Sequence, residues 1–290
     1  MAIENFIPEI WANEVMRALE KSLVYGQLGV INRNYEGEFS QAGDTVRINQ
    51  IGPVTVKAYT KNSDIDSPET LTDAQQVMTI TEQDYFNFQI DDIDKAQQKP
   101  KIMAAAMAEA SYAMRDTVDQ FIAAKYANVS ASNKLGTDAA AKVPNLTQGD
   151  AQNIYNLIED CGTLLSDSKI PKMGRWMIVP PWVAAMIAKD IKVSYGAAGS
   201  QLANNALLNG FIGHIAGFDV LESHNVPNTS GAKYKILFGT SQGITFADQI
   251  NKVEPFRPEK RFADAVKGLH VYGAKVVRPE AVGVLTVSKT

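Results

Sequence analysis

Two stretches of alternating character, separated by a polar one, restrict this chain more than any other feature. From Asp44 to Ala58, Val46, Ile48, Val54 and Val56 fall on even positions, with Thr45, Arg47, Asn49, Thr55 and Lys57 between them and a break at Gly52-Pro53. Strand side chains point alternately to two faces, so this period of two predicts a strand with one apolar face. A second run spans Met78 to Ile90, where Ile80, Phe86, Phe88 and Ile90 share one parity. The intervening TKNSDIDSPETLTDA holds too few apolar residues to bury and predicts an exposed tip. Two long strands paired only with each other leave open edges that a stable protein must cover. The expected hairpin therefore projects and finds its cover on another surface, as it would in an assembly.

The second constraint is helical. After Pro100, Met103, Met107, Ala110, Met114, Val118, Phe121 and Ile122 recur at steps of three and four, which predicts a long helix with a slim apolar stripe. Alanine and methionine favour helix and adapt to their neighbours, so the stripe reads as a spine for a sheet and not as a cofactor groove. Upstream, Ile10, Trp11, Val15, Ala18, Leu19 and Leu23 predict a short amphipathic helix over 8–25, in an opening that reads as an arm. Downstream, the turn-rich ASNKLGTDAAAKVPN (131–145) marks a domain boundary. Thr147 and Asp150 then form a capping signal ahead of Ile154, Leu157, Ile158, Cys161 and Leu165. A strand over Trp176 to Val179 leads through Pro180-Pro181 into the helix WVAAMIAKD. Further strands are expected at Phe218 to Glu222, Lys235 to Phe238, Ile244 to Ala247, His270 to Arg278 and Val282 to Val287. The fold class is α+β: arm, hairpin, spine helix, α/β lobe, return strands.

An active site would be sought in NGFIGHIAGFDVLESHNVP, Asn209 to Pro227. Its Gly210, Gly213 and Gly217 precede a strand instead of following one, lack the G-x-G-x-x-G spacing and carry no Lys-Ser/Thr ending. They read as backbone turns, not as a phosphate loop. His214, His224 and His270 are the only histidines, and no two stand four apart as metal-binding pairs on a helix do. Ser223 and His224 are strand neighbours and so point to opposite faces, and no G-x-S-x-G elbow occurs. Asp91, Asp92 and Asp94 read as favouring the amino end of the long helix, with a divalent ion as the weaker alternative. The single cysteine, Cys161, excludes an intrachain disulfide and a cysteine zinc cluster. No catalytic, cofactor-binding or metal-ligating residue is assigned, no cofactor is expected, and the chain is read as a non-enzyme.

A net charge of -4 with no basic run argues against a surface built to grip nucleic acid. In EPFRPEKRFADAVKG (254–268), Arg257, Lys260 and Arg261 are mixed with Glu254, Glu259, Phe256 and Phe262. Mixed signs and two prolines favour a loop forming salt bridges between molecules over a single-strand nucleic-acid site. Lys57, Lys61, Asp64, Asp66 and Glu69 around the polar tip are candidates for the same role. There is no export signal at the amino terminus and no run of about 18 apolar residues, so no membrane partner is expected.

Taken in order, IPEIWANEV, GDTVRI, the helix after IDDIDKAQ, the NGFIGHIAGFDVLESHNVP segment and the closing HVYGAKVVRPEAVGVL resemble the major capsid proteins of tailed bacteriophages. Those proteins share the Hong Kong ninety-seven-like fold, also used by encapsulins and the herpesvirus capsid floor. The resemblance implies an amino-terminal arm at 1–43 and an extended hairpin loop at 44–92. It also implies a peripheral domain from 93–145 and 248–290, with the spine helix, and an axial domain at 146–247. Such subunits form hexamers and pentamers that tile an icosahedral shell around packaged double-stranded DNA, which they contact weakly. The implied location is the virion, after assembly in the host cytoplasm, with scaffolding, portal and decoration proteins as further partners. Because the chain begins directly with the arm, a separate scaffolding protein or none is expected. No lysine-to-asparagine crosslink is carried over to Lys57 or Lys61. An encapsulin-like compartment shell, or a small soluble hydrolase, is the alternative.

Overall fold

The computed structural model describes residues 23–34, 45–51, 73–91, 102–190, 211–260 and 262–289, with isolated positions 56, 58, 59, 61, 64 and 67. The expected helix over 8–25 falls outside them except at its end. So do Gly52-Pro53, Asp92 and Asp94.

Among the described residues the largest sheet has seven strands. Along it run β4 (Lys134–Leu135), β12 (Val282–Ser288), β9 (Lys233–Thr240), β5 (Arg175–Val179), β7 (Phe218–Glu222) and β6 (Phe211–Ile215), with β8 (Asn228–Thr229) beside β9. β5 is parallel to β7 and β4 to β12, and the other pairs are antiparallel. Every residue of β5 and of β12 is buried. Sequences of that kind, such as RWMIV, read as continuous apolar runs because both faces are covered.

The two faces sort by parity. Met177, Val179, Phe218, Val220, Ile236, Phe238, Leu285 and Val287 face α2 (Ile154–Asp167) and α3 (Pro181–Lys189), which bury Leu157, Ile158, Cys161, Leu165, Val183 and Ile187 against them. Trp176, Ile178, Leu221, Leu237, Val282 and Val284 face the opposite way. They pack on Val118, Ile122 and Ala123 of the spine helix α1 (Ile102–Ala123) and on Leu23, Tyr25, Val30 and Ile31 of the amino-terminal segment. Pro181 starts α3, where its fixed φ suits the first helical position. The cap of α2 differs from the expected Thr147 and Asp150. Asn153 sits at the N-cap and accepts the N–H of Tyr155, while Asp150 accepts from Gln152 in the preceding turn. The capping residues thus close an extra turn before the helix begins.

A second sheet, antiparallel throughout, runs β10 (Ile244–Phe256), β11 (Ala263–Val276), β3 (Glu82–Asp91). α1 covers one face: Phe121 meets Tyr272 edge-on at 5.3 Å, and Met114 packs with Phe86. On the other face Ala247, Val271 and Val277 take Ile48, Met78 and Ile80. The closing strands β11 and β12 are separated only by Val277, Arg278 and the PEA turn, yet they enter different sheets.

The hairpin is β1 (Thr45–Ile51) with β2 (Asp73–Thr79), Thr45 opposite Thr79 and Ile51 opposite Asp73. This corrects the expected partner run, Met78 to Ile90. That run breaks at Ile80 and Thr81, so its first part belongs to the hairpin and the remainder, β3, pairs with β11. Ile80 and Phe86 share a parity but serve opposite faces of the second sheet, because the chain changes sheets between them. Gly273 allows this passage: a Cβ there would stand 2.9 Å from Ile80 Cδ1 and 3.2 Å from Thr79 O.

Candidate functional site

Among the described residues, the side chains that could do chemistry do not converge. His214 Nδ1 lies 3.0 Å from Asp219 Oδ1 across the β6–β7 pair, both groups open to water. Ser223 Oγ accepts the N–H of Asn225 within its own turn, and His224 is exposed beside it. His270 is buried in β11, its Nε2 3.5 Å from Asp248 Oδ2. Cys161 is enclosed by the α2 core, where burial, with Asp160 adding to it, pushes its thiol far up. Among the described residues no three or more His, Cys, Asp and Glu side chains could hold a metal ion.

In the glycine-rich stretch, Ala216 (φ 48) and Gly217 (φ 84) form the two-residue turn joining β6 to β7, and both central residues are left-handed. A Cβ on Gly217 would meet nothing within 4 Å, so the demand is on φ and not on space. Gly213 lies inside β6 opposite Val220, beside an irregularity in register. Gly210 is outside the described residues.

What the described surface offers is contact. Lys61 and Asp64 are exposed between β1 and β2, with Val56 93% and Tyr59 72% exposed beside them. Lys57, Asp66, Glu69 and Arg261 lie outside the described residues. At the end of the β10–β11 pair, Arg257 Nε is 3.1 Å from Asp264 Oδ1, and Lys267 Nζ is 3.1 Å from Glu254 Oε2. Arg257 is thus engaged within its own chain, while Glu259 and Lys260 are exposed and Phe262 stands 84% open. The aromatic ring, not the guanidinium, is the prominent feature of that tip.

Residues 23–34 form a second feature, which the sequence reading passed over. Val24 and Tyr25 donate their main-chain N–H groups to Asp119 Oδ2 and Oδ1 of α1 at 3.0 and 3.1 Å. Asn32 exchanges main-chain bonds with Ile244 and Phe246, and Arg33 donates to Asp248 of β10 at 2.7 Å. Between these ties Leu23, Tyr25, Val30 and Ile31 are buried. Burial of such apolar side chains contributes about 1.5–3 kcal/mol each, more than a neutral hydrogen bond, so packing holds the segment and the carboxylates set its register. A sequence signal existed for Asp119: a carboxylate set among Met114, Val118 and Ile122 on an apolar stripe needs a partner.

The family model described as phage capsid protein matches residues 74–285. No curated protein sequence matches the chain. Among solved structures, a chain from Mycobacterium phage Che8 is 24% identical, with a TM-score of 0.65 over 98% of this chain and 93% of that one. A chain from the capsid of Ralstonia phage GP4 is 14% identical, with a TM-score of 0.69 over 92% and 89%. The encapsulin of Synechococcus elongatus is more distant, at 13% identity and a TM-score of 0.56 over 87% and 85%. The mixed α+β architecture is that of the Hong Kong ninety-seven-like capsids. The chain belongs to the phage capsid protein family and is a major capsid protein, a structural component of the virion shell.

Proposed function

We propose that copies of this chain associate into hexamers and pentamers that close an icosahedral head around packaged double-stranded DNA, assembling in the cytoplasm of the host. The observation that carries the reading is the β1–β2 hairpin. Among the described residues this two-stranded sheet pairs with no third strand, and Val56, Tyr59, Lys61 and Asp64 beyond it are exposed. The chain's own second sheet covers Ile48 and Met78 at the hairpin's base, and a neighbouring subunit covers its open edges and tip, with Lys57, Lys61, Asp64, Asp66 and Glu69 on one contact and Glu259, Lys260, Arg261 and Phe262 on another. Arg257 supports the second contact from within, through Asp264. The chain acts by binding itself and needs no catalytic residue.

In this reading residues 1–43 serve as the arm, 44–92 as the extended loop, 93–145 with 248–290 as the peripheral domain, and 146–247 as the axial domain. Strand β12 crosses that division by pairing with β9. The mild negative charge suits a wall that must not immobilise DNA. Many modest interfaces summed over a closed lattice supply stability. Scaffolding, portal and decoration proteins are the further partners.

Negative-stain microscopy of purified protein tests the reading: shells, tubes or capsomers are expected, and their absence under every assembly condition overturns it. An encapsulin-like compartment would also give shells. Nuclease-resistant DNA inside particles from infected or induced cells separates the two, since a compartment shell would enclose protein.

A further inference from the structure

Segment 23–34 meets the body of the subunit at two buried carboxylates of different character. Asp248 has cationic company, with the Arg33 guanidinium at 2.7 Å and His270 at 3.5 Å. Asp119, only 3% exposed on α1, instead accepts from the main chain of Val24 and Tyr25, with the Gly26 N–H as a further donor. Leu23 and Tyr25 of the same segment are fully buried, and the Tyr25 hydroxyl has no hydrogen-bond partner among the described residues. A carboxylate in this position is solvated by three peptide groups when the segment is docked and by water when it is not.

We propose that Asp119 is a protonation-controlled anchor: packing docks residues 23–34 on the body of the subunit, and the proton on Asp119 adjusts how tightly, and so how firmly the chain entering at Leu23 is restrained. The device operates inside one subunit and stands whether or not the shell reading holds.

Burial is the largest influence on Asp119 and raises its carboxyl from 3.8 to about 6, against the lowering effect of the Val24, Tyr25 and Gly26 N–H groups and of Arg115. Arg115, on its own helix, and Tyr25, on the segment, are the charged and titratable groups that act on it among the described residues. Burial, with Asp119 adding to it, pushes the Tyr25 phenol well up, so Tyr25 stays neutral throughout. A folded value above the unfolded one means that the docked state binds the proton more tightly. Docking is therefore tightest below about pH 4, weakens as pH rises through about 6, and is level above that.

The test is hydrogen–deuterium exchange of the full, unassembled chain from pH 4 to 8, corrected for intrinsic rates. The reading is the protection of residues 23–34 relative to β9 and β12. That ratio is expected to fall by up to about a hundredfold across the window in the wild type, the equivalent of about two pH units. It should stay level in Asp119→Asn. A level ratio in the wild type, or an undiminished slope in Asp119→Asn, overturns the proposal. If the variant does not fold, a carbon-13 titration of the Asp119 carboxyl in the wild type decides: a midpoint near 6 supports it, and one at or below 4 sinks it.

Discussion

Arg33 and Asp248 stand 215 positions apart in the chain and 2.7 Å apart in the fold, their side chains 8% and 7% exposed. The guanidinium also lies 5.6 Å above the Phe246 ring. Removing it leaves a carboxylate sealed in the core with His270 as its remaining neighbour.

Arg33→Ala is therefore expected to destabilise the subunit by about 3 kcal/mol at neutral pH, the order found when one partner of a buried pair is lost. Burial works to raise the Asp248 carboxyl, but His270 and Arg33 outweigh it and hold the group below its usual range. A lowered folded value contributes stability above the ordinary carboxylate pKa of about 4, and that contribution fades as pH falls through the folded value. Denaturant melts of wild type and variant should thus differ most near pH 7 and converge in acid. A gap that does not change with pH would show that the pair contributes packing alone.

Gly217→Ala should cost about 1–2 kcal/mol, because the left-handed φ of 84 penalises a Cβ even where nothing crowds it. Gly217→Asn should recover much of that, asparagine tolerating this conformation. Equal thermal midpoints for the two variants would mean that the cost is steric after all.

Deletion of residues 60–69 leaves β1 and β2 intact and removes the exposed Lys61, Asp64 and Ser67. Circular dichroism and melting of the subunit should be preserved, while particle yield by light scattering falls severely. Undiminished assembly would remove the hairpin from the list of interfaces.

Cys161 should resist a maleimide in the native subunit and react promptly once it is unfolded, since it is wholly buried and its thiol is pushed up by that burial. Modification of native protein at the rate of free cysteine would place the α2 core open to solvent.

The sequence made faces legible more readily than partners. Alternation in β1 and the three-and-four spacing of α1 follow from local geometry, and both emerge as elements near where that spacing puts them. Alternation cannot reveal a change of sheet, so the run from Met78 to Ile90 reads as one strand although its first pairing ends at Thr79. Asn153 was hidden for a related reason: Thr147 and Asp150 carry a helix-start pattern that a turn can also use. The tie from Arg33 to Asp248 left no trace within either neighbourhood, since only the folded path of the chain brings the two together. Of the residues proposed for contact, Lys61, Asp64, Glu259 and Lys260 are readable as exposed charge, whereas the weight placed on Phe262 depends on its lack of cover at the tip.

Strand β12 lies between β4 and β9, buried at every position, and it is the final strand of the described fold. The large sheet therefore cannot be completed until residues 282–288 have left the ribosome. A translation product that stops short of Val282 lacks the strand between β4 and β9 and leaves β9, with Leu237 and Phe238, unpaired along that edge. The chain's last strand is thus also the one that closes the β9 edge, so the sheet's completion waits on the end of translation.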